Sequence, residues 1–239
     1  MRATESAFDG FGPDALKFLK ALGFHQDREW FQENRAIYDA QLREPLVALV
    51  ETMSDRLKDG PLPVHGSGKA SVFRINRDVR FSKDKNPYKT NAAAVLTRTG
   101  TKKDRGGLYI HVAPDGGSFL ASGLWFPPSP YLKAMRDTLV ARPADWKAVI
   151  ASLDEAGLAI EGLEDALKRP PRGFADIEDD WLMSWVKRKS FVAQRPIAEE
   201  RLFEPGLVDD IAAFAQAVAP LMNFVWRATD PVTEADGNA

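Results

Sequence analysis

Six cations stand in the eighteen residues 74–91, RINRDVRFSKDKNPYKTN: Arg74, Arg77, Arg80, Lys83, Lys85 and Lys89, beside only two acids, Asp78 and Asp84. Two carboxylates cannot neutralise six cations, so the segment keeps a surplus of positive charge that attracts anions. The planar guanidinium fork suits phosphate or carboxylate, and the lysine ammonium adds a mobile point charge. The remaining polar residues, Asn76, Ser82, Asn86, Tyr88, Thr90 and Asn91, are hydrogen-bonding types rather than the Glu and Gln of a merely soluble surface. Asn86-Pro87 fixes a turn, which makes 82–89 a defined loop. The chemistry expected is binding of a small phosphorylated or other anionic ligand. Arg74, Arg77, Arg80, Lys83, Lys85 and Lys89 would be the clamp, Asn76 and Tyr88 the orienting groups, and Ser82 a further donor. Two other readings fit the same residues: a nucleic-acid binder whose basic block tracks a backbone, and an interaction domain in which the segment is an internal Arg–Asp network or docks acidic surface.

Catalytic candidates are few. Asp78 or Asp84 could serve as a base beside a bound anion, and His111 could act as acid or base, although a lone His on a strand is more often a structural, hydrogen-bonded residue. No pair of groups shows a division into acid and base, so the sequence leaves open whether the protein is an enzyme. One or two carboxylates among six cations make a poor magnesium site. There is no Cys, and the three His (His25, His65, His111) lie far apart, so no zinc site is expected. The phosphate loops GxxxxGK[ST] and GxGxxG and the nucleophile motif GxSxG are all absent, and no cofactor is expected. Trp30, Phe31, Trp125 and Phe126 could wall a binding site, but their spacing favours core positions.

The elements that must position these groups change period along the chain. Residues 15–22, 30–42 and 46–57 repeat apolar residues at helical spacing, with Pro13 at a helix start, Gly23 as a C-terminal cap, Asp27 as an N-cap and Pro45 as a break or kink. Residues 60–68 read as a loop. From 72 to 81 the pattern alternates, Phe73, Ile75, Val79 and Phe81 against Arg74, Asn76, Asp78 and Arg80, with Arg77 the one violation. That predicts a half-buried strand carrying a polar ladder. Strands are predicted at 92–97, 108–113, 119–125 and 190–195, with Pro114-Asp115-Gly116-Gly117 as a hairpin turn. Helices are predicted at 131–140, 145–153, 179–186 and from 207 past Pro220 to 225, and 229–239 reads as a disordered polar tail. With no repeat and no linker, the expectation is a single α+β domain over 1–228, its mostly antiparallel sheet flanked by N- and C-terminal helices.

Charge is segregated along this framework. The 239 residues sum to −2, yet residues 69–105 hold 11 basic and 3 acidic groups, whereas 148–239 hold 9 and 17. The acidic C-terminal part and a pI near 6.0 disfavour a long polyanion relative to a small one. No stretch reaches the ~18 uninterrupted apolar residues of a membrane span. The first nine residues contain Arg2, Glu5 and Asp9 without an apolar run, so a cytoplasmic protein without a membrane partner is expected.

The central string, together with DREWFQENRAIYD upstream and GLYIHVAPDGGSFLASGLWFPP downstream, resembles the DUF2461 family of conserved hypothetical proteins over about residues 10–227. KRPPRGF at 168–174 and 187–191 agree further. The resemblance implies site roles for the segment RDVRFSKDKNPYKTN and for Arg172 and Lys189, and it implies no activity. The chain departs from the family pattern at His25-Gln26-Asp27, where the family is commonly Asn-rich, and at Ile177-Glu178, where it often has His-Pro.

Overall fold

Helix α1 (Ala15–Phe24) buries Ala15, Leu16, Phe18, Leu19 and Leu22, the stripe read from the sequence. It runs through Gly23 and ends at His25, whose N–H bonds to the Ala21 carbonyl. In this computed structural model the described residues are 8–80, 83–162 and 165–237, the last five as backbone only. Helix α2 (Arg28–Glu33) starts as expected on Asp27, whose carboxylate accepts the Trp30 N–H at 2.7 Å. A short α3 (Arg35–Tyr38) leads through a π-helical turn (Asp39–Arg43) into α4 (Glu44–Leu57).

Pro45 therefore neither breaks nor ends the helix. It has no N–H for the Gln41 carbonyl and its ring would crowd that group. The wider π turn makes room, and the Gln41 carbonyl accepts the Gly12 N–H instead, at 3.0 Å. Within the region read as a loop, Ser67 caps a single helical turn, α5 (Gly68–Ser71), by accepting the Ala70 N–H.

Strands β1 (Ala92–Leu96), β2 (Gly107–Val112), β3 (Phe119–Leu124) and β4 (Phe191–Pro196) form one antiparallel sheet in the order β1-β2-β3-β4. In the β1/β2 register Ala92, Ala94 and Leu96 face Val112, Ile110 and Leu108, and all six are buried. Opposite residues share a face of the sheet, so Ala93 with His111 and Val95 with Tyr109 lie together on the other side. The expected hairpin joins β2 to β3. Asp115 (φ +57) and Gly116 (φ +73) both occupy the left-handed region, and the Gly117 N–H returns to the Pro114 carbonyl at 3.0 Å. These are the positive dihedrals of a type I′ turn, which Asp-Gly supplies at least cost. Ser118 ties the base of the loop by bonding both the N–H and the carbonyl of Ala113.

The strand predicted over 72–81 does not form among its described residues. It is an extended segment held by two isolated bridges, Val72 to Ala94 and Asn76 to Tyr88. Its backbone bonds are Phe73 N–H to the Ala93 carbonyl, Arg77 N–H to the Pro87 carbonyl and Lys89 N–H to the Ile75 carbonyl. Pro87 cannot return a bond, and the partner changes from β1 to the loop, so no continuous ladder develops. The burial alternation survives: Arg74, Asn76, Asp78 and Arg80 are exposed, while Phe73, Ile75, Arg77 and Val79 are buried or half-buried.

Contacts divide the chain into two compact units. The first comprises the described residues within Met1–Asp104, Leu108–Leu120 and Arg195–Phe214, and its core includes Leu19, Leu22, Leu42, Leu46, Leu49, Met53, Leu96 and Leu108. The second comprises Arg105–Gly107, Ala121–Gln194 and the described residues from Ala215 onward. It holds α6 (Ser129–Ala141), α7 (Pro143–Glu155), α8 (Asp180–Val186) and most of α9 (Leu207–Gly237). Trp146, fully buried, makes an edge-on contact with Trp185 at 5.2 Å and a tilted one with Phe224 at 5.0 Å. Helix α9 passes Pro220, as read, and also Pro231, running to Gly237 where the sequence reads as a tail. By length and composition its residues 207–232 could cross a membrane, and 56% of the apolar window is buried inside the protein.

Candidate functional site

The basic segment belongs to the first unit, and its cations separate into two groups. Asp78 takes Arg80 in a two-pronged bond, Nε to Oδ1 at 2.9 Å and Nη2 to Oδ2 at 2.7 Å. Asp84 pairs with Arg77 and accepts the Asn86 N–H at 3.0 Å. Lys85 closes the loop by donating to the Val79 carbonyl at 3.0 Å. These contacts are exposed ion pairs and hydrogen bonds within the segment. Both carboxyls are held below the usual carboxylate range, Asp78 chiefly by its bonds from Arg80 and Asp84 chiefly by the Asn86 N–H. Ionised and engaged in this way, they are weak proton acceptors. Lys83 is exposed on the loop, and Ser82 lies outside the described residues.

The second group is Arg74, Lys89 and Lys102, with Arg77 at its border. The Lys89 and Lys102 ammoniums lie 5.5 and 5.3 Å from the centroid of one ring, Phe73. Lys102 is fixed there by donating to the Val72 carbonyl at 2.8 Å. Burial, then the like charges of Arg74, Arg77 and Lys102, push the half-buried Lys89 below the usual lysine range. Burial lowers Lys102 as well. Among the described residues no carboxylate pairs with Arg74, Lys89 or Lys102. Lys102 lies outside the motif that drew attention in the sequence, although it belongs to the same basic stretch 69–105. Only the approach of its loop to Phe73 marks it out.

Rings extend from this charge across the half-buried face of the sheet that carries Tyr109 and His111. Phe73 meets Tyr109 edge-on at 6.1 Å, Tyr109 is 5.8 Å from His111, and His111 stacks on Phe119 at 4.6 Å and 14°. All four are half-buried. The Tyr109 hydroxyl and His111 Nδ1 are 3.0 Å apart. Burial lowers His111, so the imidazole is neutral near pH 7, and raises Tyr109. His111 thus shares a face with the cations, as a site role requires, and also has the hydrogen-bonded partner that a structural role requires. The opposing residues on β1 are Ala93, which is buried, and the half-buried Val95.

The Tyr88 ring is turned into the core. It is buried, stacks on Phe31 at 4.5 Å, and its N–H bonds to Gln26 Oε1 at 3.0 Å. This pins the end of the loop to α1 and α2 through residues in and near the stretch that departs from the family pattern. Asn76 is exposed and bridges Tyr88 by backbone. Arg172 and Lys189 fall in the second unit, exposed and half-buried. Of the four candidate wall aromatics, Phe31 is core and Trp30 stacks on His25 at 4.9 Å. Trp125 and Phe126 belong to the second unit and are 75% and 44% exposed, against the expectation of core positions.

Two open concavities lie elsewhere. One of about 280 Å³ is lined by Leu120, Ile197, Arg201 and Asp210, the other, of about 300 Å³, by Asp145, Val149, Phe224 and Arg227. Their charges are paired internally, Arg201 with Asp210 and Glu204, Arg227 with Asp145, so neither matches the open, uncompensated charge around Phe73. No cluster of His, Asp or Glu able to hold a metal occurs among the described residues. No curated protein matches the chain, and no solved structure does. The motif read from the sequence is nevertheless part of a wider pattern: residues 14–224 match the model of DUF2461, described as a conserved hypothetical protein, and the chain belongs to that family.

Proposed function

We propose that the first unit binds a small anion, phosphate being the best chemical fit, on the shelf formed by Arg74, Lys89 and Lys102 with Arg77 at its edge. The observation that carries this reading is the pair of ammoniums over the one Phe73 ring with no carboxylate between them. Like charges gathered around one ring, one of them half-buried, cost stability unless something of opposite sign joins them. A protein that needed only solubility could turn these flexible side chains outward. The paired arginines Arg77 and Arg80 complete the reading by a different route: with Asp78 and Asp84 they shape the loop that presents Lys89. Catalysis is not part of the proposal, since the two carboxylates are committed to ion pairs.

The test is thermal unfolding in inorganic phosphate or pyrophosphate against chloride at matched ionic strength. Stabilisation saturating with concentration is expected, following RT ln(1 + [L]/Kd), and it should be lost in Arg74→Met and Lys89→Met. No stabilisation by either anion sinks the proposal. Stabilisation only by long nucleic acid, with a steep loss of affinity as salt rises, would replace it with the polymer reading.

A further inference from the structure

Beyond Phe73, the rings of the row beside the cations have no part in holding an anion, and they are the feature from which we infer that the ligand is a small phosphate ester of a flat ring, of the nucleoside monophosphate class. The ring would lie over Tyr109 and His111 while the phosphate reaches Lys89 and Lys102. This rests on the anion-binding reading and adds the second half of the ligand.

Several observations converge on it. Neighbouring rings in the row are 4.6 to 6.1 Å apart, within the span at which aromatic groups attract. The row lies on the face of the sheet opposite the packed core, where β2 alternates buried Leu108, Ile110 and Val112 with half-buried Tyr109 and His111. Phe119 begins β3 on that same face, in contact with both Tyr109 and His111. The outer face of an antiparallel sheet is ordinarily polar, whereas this one carries four half-buried rings beside the buried Ala93 and the half-buried Val95. The polar atoms it does present, the Tyr109 hydroxyl and the His111 imidazole, can bond the edge of a heterocycle as well as each other. The two ammoniums sit at the Phe73 end of the row, and His111 and Phe119 at the other. A ligand matching this surface is therefore anionic at one end and flat and uncharged at the other. Stacking of a base on aromatic side chains tolerates every base, so the geometry defines the class and not the individual base.

Isothermal titration of the full chain with inorganic phosphate, AMP and adenosine separates the two halves of the ligand. One base–aromatic stack is worth about 1 to 3 kcal/mol, so AMP should bind about 5- to 150-fold more tightly than phosphate. In Phe119→Leu, which removes the stack under His111, the ratio of AMP to phosphate affinity should fall at least about fivefold, a change of about 1 kcal/mol. AMP binding no tighter than phosphate overturns this inference and leaves the anion shelf intact. Failure of both AMP and phosphate to bind overturns the shelf as well. A ratio unchanged in both Phe119→Leu and Tyr109→Leu shows that the ring lies elsewhere and also overturns it, so the outcome does not hang on one variant's folding. A further large gain from AMP to a twelve-nucleotide single strand identifies a polymer groove, contrary to a small ligand.

Discussion

Lys89→Met separates the cost of the uncompensated charge from its use. The two ammoniums, 5.5 and 5.3 Å from the same ring centroid, are at most about 11 Å apart. At that separation two unit charges repel by about 0.4 kcal/mol in bulk water and about 1.5 kcal/mol at the effective dielectric of a protein surface. Lys102 is exposed and Lys89 half-buried, so the effective dielectric falls between these two cases; any shorter separation raises both figures, and Arg74 and Arg77 each press on Lys89 more than Lys102 does. Methionine removes the charge and keeps a linear side chain whose sulfur can still contact Phe73, which offsets the lost cation–π attraction. The variant should therefore be more stable than the parent by about 0.5 to 1.5 kcal/mol, or about 1 to 6 °C in Tm for a chain of this size. The gain should shrink in 1 M NaCl, where the Debye length is about 3 Å. The same variant should no longer gain Tm from phosphate. Urea or thermal melts at low and high salt, each with and without phosphate, read all of this. A variant less stable than the parent at low salt refutes the idea that Lys89 is held against repulsion, and one that still responds fully to phosphate refutes its place in the shelf.

Two further outcomes follow from local geometry. Gly123 in β3 has φ +140, and a Cβ there would lie 2.0 Å from the Phe191 carbonyl oxygen. Gly123→Ala must force the backbones of β3 and β4 apart and should cost about 3 kcal/mol or more, read as a large fall in the urea midpoint; a fall of less than about 1 kcal/mol would show that the strands can shift freely. For His111, burial lowers the folded-state pKa from 6.5. The unfolded chain then binds more protons than the folded one in the window just below 6.5, and stability falls as pH drops through it. In His111→Gln this part of the pH dependence should vanish, and melts at half-unit steps from pH 7 to 5 would expose an unchanged slope.

Features that depend on near neighbours along the chain are legible in the order of residues. The Asp27 cap needs only Trp30 three residues on, the Asp-Gly turn only its own dihedrals, and the alternation of 72–80 survives in burial although no strand forms. Apolar spacing placed α1, α4 and α9, and the run of bases singled out the segment that carries Lys89. What the sequence could not show depends on partners remote in the chain. Whether 72–80 becomes a strand rests on what lies alongside, and Pro87 there has no N–H to give. Two of the surplus cations turn out to be compensated, Arg77 by Asp84 and Arg80 by Asp78, because loop closure decides which carboxylate reaches which guanidinium. Tyr88, read as a ligand contact, is spent on Phe31. Lys102 and the row Phe73, Tyr109, His111 and Phe119 come together only through the β1/β2 register and the β2–β3 turn, since a shift of one residue would send Tyr109 and His111 into the core. Residue types and short-range spacing are written in the chain; which uncompensated charges meet, and what ring lies beneath them, is decided by tertiary packing.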